Sequence, residues 1–256
     1  SRNFFFYFRV IYLSWVLVWL GWLIGGQLSI IHLVNIFELI LTFSNNFTTF
    51  FIEPVIFVIV VFTLLSLLFW GRALFCGWLC PFGALQELLS IFSKKIGIKQ
   101  FFLSAKLDKY LRYIKYFFLA IIIIGTILEL NLISYIYNIE PFKTAITLRF
   151  MAPVNLVLWA LFLLIINLLV ERAYCRYLCP LGGGLALLGQ IRLSNFLKRR
   201  EECGNPCKAC NKVCPTGAIL NSGKINMSEC LGCLDCQVMY NDDNKCPPLV
   251  ALKKSS

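Results

Sequence analysis

Twelve cysteines carry most of the chemistry legible in this 256-residue sequence. Eight fall between Cys203 and Cys246, within "CGNPCKACNKVCPTGAI" and "CLGCLDCQVMYNDDNKCPP". The other four form a matched pair, "LFCGWLCPFGALQELL" from Leu74 and "AYCRYLCPLGGGLALL" from Ala173. Thiolate sulfur is a soft ligand suited to zinc, copper(I) and iron–sulfur clusters. It also oxidises to disulfides where the compartment permits. Spacing decides among these.

In the tail, Cys203, Cys207, Cys210 and Cys214 form one group. Cys230, Cys233, Cys236 and Cys246 form another, and each group ends in Cys-Pro. Two such groups match the run of bacterial two-cluster ferredoxins, where the fourth cysteine of each motif serves the other cluster. A cubane needs four thiolates converging from different directions. A tight loop supplies three, and the fourth arrives from elsewhere. The expected ligands are Cys203, Cys207, Cys210 and Cys246 for one 4Fe–4S cluster, and Cys214, Cys230, Cys233 and Cys236 for the other. Two spacings are longer than the common run: three residues separate Cys203 from Cys207, and nine precede Cys246. Zinc would pair two Cys-x-x-Cys units without the Cys-Pro endings.

Cys76 and Cys80 are four apart, as are Cys175 and Cys179, so on a continuous helix each pair would share a face. Pro81 and Pro180 disfavour helix just before them and suit the first turn after. Each element reads as the end of a span, a break and a short amphipathic helix. Trp78 matches Tyr177, Leu79 matches Leu178 and Gly83 matches Gly182, which makes an internal repeat. Four thiols at one depth of the membrane surface fit a redox thiol site or a further metal site, iron–sulfur or copper. They also fit plain packing of small, soft side chains at helix breaks. Arg72, Arg172 and Arg176 would favour thiolate forms or serve as topological anchors.

The elements that position these thiols are apolar. The chain is 59% hydrophobic, a composition that belongs in a bilayer. A spanning helix needs roughly 20 apolar residues, and four stretches approach that: 4–24, 50–70, 116–137 and 154–170. All but Lys143 and Arg149 of the 24 Lys and Arg residues fall on one side of this arrangement. The positive-inside rule then places both ends of the chain and both Cys-x-x-x-Cys-Pro elements in the cytoplasm, where disulfides are not expected. The stretch "QLSIIHLVNIFELILTF" reads as an interfacial or re-entrant helix on the outer face. The net charge of +11 therefore reports topology, and no nucleic-acid motif accompanies it. Composition changes after Arg199, dividing the chain into a membrane domain, 1–198, and a cytoplasmic domain, 199–256.

His32, the single histidine, reads as a packed or interfacial residue ahead of a ligand or quinone contact. Glu53, Glu129 and Glu140 lie near outer span ends, where ionisable groups carry quinol protons or mark the interface. Trp15, Trp19, Trp22, Trp70 and Trp159 read as belt and packing residues. Gly182–Gly184 lacks the lysine and strand of a phosphate loop. No nucleophile–base pair stands out, so the chemistry is that of an electron carrier rather than a bond-making enzyme.

With the cysteines placed, nearly the whole chain resembles the membrane and ferredoxin portion of the NosR/NirI family, the membrane flavo-iron–sulfur proteins of nitrous oxide reduction. The resemblance lies in "GQLS", "FWGRALFCGWLCPFGALQELL", "EPFKTAITLRF" and "ERAYCRYLCPLG", and continues through "LKRREECGNPCKAC" and "ECLGCLDCQVMYNDDNKCPP". It implies a multi-pass protein of the bacterial inner membrane that draws electrons from the quinone pool or a cytoplasmic donor. It implies support of the periplasmic nitrous oxide reductase system or its maturation factors. It also implies FMN in a periplasmic domain ahead of these spans, which this chain lacks. Ser1 is not an initiator methionine, in keeping with a processed or trimmed start. NapH-type quinol dehydrogenases and CcoG-type copper-oxidase assembly proteins share the paired elements and the tail. They leave quinol oxidation or copper reduction as alternatives. The expected architecture is an α-helical membrane protein with four transmembrane helices in two pseudo-repeated halves. A C-terminal α+β ferredoxin-like domain with two 4Fe–4S clusters follows them.

Overall fold

Local sequence sets the helix boundaries. The computed structural model describes residues 2–32, 34, 54–101, 103–128, 140–194, 196–204 and 207–255. All twelve cysteines are among them. Glu53, Glu129, the first residues of the second expected span, the end of the third and the outer stretch beyond Val34 lie outside.

Helix α1, Arg2–Trp15, continues without a break into a wider π-helical stretch, Val16–Leu23. Together they give an apolar run of 21 residues, Asn3–Leu23, with mean hydropathy 1.6. Helix α2 is Pro54–Trp70, α3 Pro81–Ile96, α4 Ala105–Ile127 and α5 Val154–Leu169. Asn3–Leu23 and Lys106–Ile127 are long and apolar enough to cross a membrane, whereas α2 and α5 are shorter apolar helices. On α2, Val58, Phe62, Leu65 and Phe69 are exposed while Thr63 and Ser66 are buried; on α5, Asn167 is buried behind exposed Leu158, Phe162 and Ile165. Water would reverse that arrangement, and a lipid surround stabilises it.

Helix α4 begins at Ala105 rather than near Tyr116. Ser104 caps it, its Oγ accepting from the Leu107 amide at 3.5 Å, and Asp108 stands in the first turn. Such a start favours helix through the N-terminal dipole. Lys106, Lys109, Arg112 and Lys115, expected in a connecting loop, stand on its first turns.

Two re-entrant elements follow α2 and α5. The chain turns at Gly71, with φ +64°, makes a π-turn over Phe75–Leu79, and reaches Cys80 in extended backbone before α3. After α5 it turns at Arg172, makes a π-turn over Tyr174–Leu178, and reaches Cys179 in extended backbone before α6, Pro180–Leu188. The two cysteines of each pair therefore do not share a helical face. Each proline excludes helical backbone at the cysteine before it. The cysteine amide closes the wider turn instead, Cys80 to Phe75 O and Cys179 to Tyr174 O, both at 2.9 Å. Each cysteine then caps the following helix: Cys80 Sγ accepts from the Gly83 amide at 3.4 Å and Cys179 Sγ from the Gly182 amide at 3.2 Å. Sulfur thus does what Ser or Asp oxygen does at most N-caps.

Both elements turn inward. Helix α3 leaves the far end of the first helix, where a Cβ on Gly21 would stand 2.8 Å from Pro81 Cβ. It returns beside the end of α5, where Ser93 Oγ donates to Leu168 O at 2.8 Å and Lys94 pairs with Glu171 at 2.6 Å. Phe75, Phe82, Cys179, Leu181 and Leu185 join the main hydrophobic core.

The tail is built around turns, with α7, Ala209–Val213, α8, Asp235–Tyr240, and α9, Pro247–Ser255. Its strand-like pairing is one antiparallel bridge, Ile219 to Ile225, and a parallel bridge between Cys203 and Cys207. Hydrogen bonds from Leu220 to Lys224 O and from Asn226 to Ala218 O hold that hairpin. Among the described residues the tail consists of short helices, turns and these two isolated bridges.

Candidate iron–sulfur and thiol site

The tail places seven of its eight cysteines around two cavities. Cys214, Cys230, Cys233 and Cys236 line one cavity. Cys203, Cys207 and Cys210 line another, with Arg199 and Lys208. Cys246 does not line it. It is buried immediately before α9, and Arg200 Nη1 donates to its sulfur at 3.2 Å and to Tyr240 O at 3.0 Å. The two groups touch, since Cys210 Sγ stands 3.6 Å from Cys236 O. The Gly232 amide donates to Cys230 Sγ at 3.4 Å. Among the described residues no group of three or more His, Cys, Asp or Glu is tight enough for a single metal ion. A cubane holds its thiolates wider apart than one ion does.

The four bundle thiols receive donors of their own. Gln86 Nε2 lies 3.0 Å from Cys175 Sγ, and Gln27 Nε2 lies 3.6 Å from Cys80 Sγ. Gln27 follows the first helix at its far end, so Cys80 sits deep in the bundle rather than at the surface shared with the tail. Cys76 lies on the stretch that meets the tail, Cys80 lies beside Gln27, and the Cys175 and Cys179 thiols each feel the charge of both.

Burial pushes the Cys76 thiol up to about 11, while Arg72 and Arg172 act against that and also hold backbone carbonyls. Arg72, 2% exposed, donates to Gly182 O at 3.1 Å, and Arg172, also 2% exposed, donates to Cys76 O at 2.9 Å. Each half of the repeat thus clamps the other. Arg172 also pairs with Glu87, which Arg9 binds through Nε at 2.5 Å while its Nη2 reaches Gly77 O at 3.3 Å. Arg176 pairs with Asp108 at 2.6 Å, and Arg112 and Tyr177 complete that group.

The tail docks on this scaffold through backbone contact and one buried acid. A Cβ on Gly77 would fall 1.8 Å from Leu231 O, and one on Gly232, whose φ is +60°, would fall 2.9 Å from Ala73 Cβ. Trp78 Nε1 donates to Gly232 O at 2.9 Å. The loop Cys230–Cys233 therefore lies against Ala73–Trp78, the stretch that carries Cys76. Beside it, both Glu229 oxygens stand 2.8 Å from Lys115 Nζ, and Arg72 lies 3.5 Å away. Arg112 donates to Thr216 O at 2.7 Å and Arg176 to Pro215 O at 3.4 Å. The repeat loses its symmetry at this surface. Gly77 admits the loop, while its counterpart Arg176 grips the chain after Cys214.

Sequence reasoning did not single out Glu229, Glu87, Gln27, Gln86 or Gly77. It placed Arg9 and Lys115 only as topological charges. The available signals were Glu229 directly before Cys230 and an arginine inside an apolar stretch. Of the weaker candidates, Trp22 Nε1 donates to Ala145 O at 3.2 Å, so it packs rather than floats in a belt. Gly183 packs against Lys115 O, its absent side chain admitting α4.

Apolar helices carrying paired cysteine elements, with a cysteine-rich tail, define an iron–sulfur protein of ferredoxin type. A family model described as a 4Fe–4S binding domain matches residues 52–99 and 151–201, one stretch for each element. A NosR family model matches 201–256. The chain is 46% identical, over 95% of its length and 33% of the relative's, to the regulatory protein NosR of Stutzerimonas stutzeri. It is 42% identical to the protein NirI of Paracoccus denitrificans, over 97% of this chain and 36% of that one. A regulatory protein NosR sequence from Pseudomonas aeruginosa matches at 56% over 31% of this chain and 80% of its own length. The chain belongs to the NosR/NirI family. It spans about a third of the length of the first two relatives. No solved structure matches.

Proposed function

We propose that this chain is the electron-conducting portion of a longer inner-membrane protein that supports nitrous oxide reductase or its maturation. The observation that carries the proposal is the seating of Cys230–Cys233 on Ala73–Trp78, with Gly77 bare at the contact. Cys214, Cys230, Cys233 and Cys236 hold the 4Fe–4S cluster nearer the bundle. Cys203, Cys207 and Cys210, with Cys246 as the fourth ligand, hold the outer one. Cys76, Cys80, Cys175 and Cys179 hold a further iron–sulfur group. The amide and glutamine N–H groups on Cys80, Cys175 and Cys179 support that reading, because donors to sulfur stabilise the anionic, ligating form. When bound, such groups supply one-electron transfer.

The chain's own residues fix the geometry. Glu229 and Lys115 lock the tail, Arg72 and Arg172 lock the two halves, and apolar packing excludes water. The four helices span the membrane, with both ends of this stretch cytoplasmic. Electrons enter from a quinol or a cytoplasmic donor and leave toward a periplasmic acceptor, with FMN in the part of the protein outside this chain.

Anaerobic iron, sulfide and copper analysis tests the proposal. The tail accounts for about eight irons in two cubanes. Wild-type chain is expected to exceed that, and Cys76→Ser with Cys175→Ser to return to it with the tail's EPR signals intact. Iron unchanged in the double variant, or copper in its place, would refute an iron–sulfur group at these thiols.

A further inference from the structure

A cleft of about 890 Å³ opens where the first turns of α4 meet the tail. Lys109, Arg112 and Arg176 line it from the bundle and Lys212 from the tail, against two acids, Asp108 and Glu229. Both acids are already answered: Glu229 by Lys115 at 2.8 Å, and Asp108 by Arg176 at 2.6 Å and by Arg112. Lys109 and Lys212 are exposed, and among the described residues neither forms an ion pair. The two guanidinium groups stand side by side, since a Cβ on Gly217 would fall 3.2 Å from Arg176 Nη2 and 3.3 Å from Arg112 Nη2. Their Nε atoms are both buried with no acceptor among the described residues. Like charges held together, with donors left unpaired, favour an anion beside them. The same helix supplies an apolar track. From the cleft wall, Tyr113, Phe117 and Ile124 follow one another down α4, all well exposed, at a spacing that keeps them on one stripe. They belong to the apolar run Lys106–Ile127. The cleft therefore stands at the head of a lipid-facing stripe, at the boundary with water.

We infer that this cleft seats the headgroup of an anionic phospholipid, whose acyl chains lie along the exposed stripe of α4 and whose phosphate ties the tail to the bundle. The inference rests on the proposed placement of α4 across the membrane. Phosphate oxygens accept from neighbouring guanidinium groups with good geometry, while lysine ammonium groups act on them as point charges. Lys109 and Lys212 supply such charges from the two sides of the junction, so a phosphate between them bridges bundle and tail. A free phosphate would answer the charges and leave the stripe of Tyr113, Phe117 and Ile124 bare. A zwitterionic headgroup brings no net charge to meet the surplus. Basic pockets on the cytoplasmic side of a helix bundle suit acidic headgroups for this reason. Cys214 lines the same cleft, so a seated lipid also keeps water from that side of the tail's thiols.

The test uses the full chain in phosphatidylcholine vesicles, with and without phosphatidylglycerol. Native mass spectrometry after transfer to detergent should show phosphatidylglycerol retained, and a photoreactive headgroup analogue should label peptides spanning 105–116 or 209–217. Hydrogen exchange across 209–229 should slow when phosphatidylglycerol is present. Lys109→Gln with Lys212→Gln removes two exposed charges without touching a buried pair, and should cut retention about tenfold or more. Lys95→Gln with Lys99→Gln removes the same charge from the same side of the membrane, outside the cleft, and should leave retention as in wild type. Equal loss in the two double variants would mean diffuse attraction to the membrane surface and overturns the site, as does label confined to other peptides. Inorganic phosphate that slows exchange as well as phosphatidylglycerol does overturns the lipid in favour of the free anion. A chain that resists alkaline carbonate yet retains no phosphatidylglycerol overturns the cleft alone. One that carbonate strips from the vesicles takes the membrane placement down with it.

Discussion

Glu229→Ala is expected to release the tail from the bundle. The substitution leaves Lys115, fully buried, beside Arg72 with no opposing carboxylate. Removing one partner of a buried ion pair costs about 3–5 kcal/mol, because the stranded charge remains desolvated. That loss is comparable to the whole stability of a docked module, so the tail should open while its own cysteine cavities persist. Hydrogen exchange across 214–236 measures it, since local opening lifts protection without global unfolding. Lys115→Met combined with Glu229→Leu should recover most of the protection, because a buried pair replaced by apolar groups is often neutral. Unchanged protection in Glu229→Ala would show that backbone contacts alone hold the tail.

Gly77→Ala is expected to part the tail loop from Cys76 with one methyl group. Gly77 has ordinary helical-side backbone, so the obstacle is space alone: the new Cβ would meet Leu231 O at 1.8 Å. Backbone stands on both sides of that contact, and neither can move as a side-chain tip would. Overpacking of this kind costs about 1–3 kcal/mol, less than the loss in Glu229→Ala, but it falls directly on the path between loop and thiol. The variant should keep its full iron content and its tail EPR signals. Reduction of the tail by electrons arriving through the bundle should slow at least tenfold, as stopped-flow bleaching would show. Wild-type rates in Gly77→Ala would mean the path runs elsewhere.

Cysteine spacing made the tail legible from sequence, because ligand geometry imposes its own periodicity and needs no context. Cys214, Cys230, Cys233 and Cys236 line one cavity. Cys246, on the nine-residue arm, does not join its partners' cavity, since a long connection specifies no direction. The repeat was legible from Cys-Pro, but its inward fold was not. A proline reports where helix stops and says nothing of where the next helix points. The start of α4 was hidden by Lys106, Lys109, Arg112 and Lys115, which lower the local hydropathy although Ser104 and Asp108 mark a helix start. Gly77 looked like any glycine, because its reason lies more than 150 residues away at Leu231. The buried charges were read as anchors because the positive-inside rule counts them without asking what they face.

Spin coupling between the tail and the bundle tests the central claim most directly. In dithionite-reduced wild-type chain, EPR should show the cluster at Cys214, Cys230, Cys233 and Cys236 broadened by a paramagnet at Cys76, Cys80, Cys175 and Cys179. Gly77→Ala should weaken that broadening, and Cys76→Ser with Cys175→Ser should abolish it. Narrow, uncoupled tail signals identical in all three proteins, or oxygen-free material without iron, would contradict it.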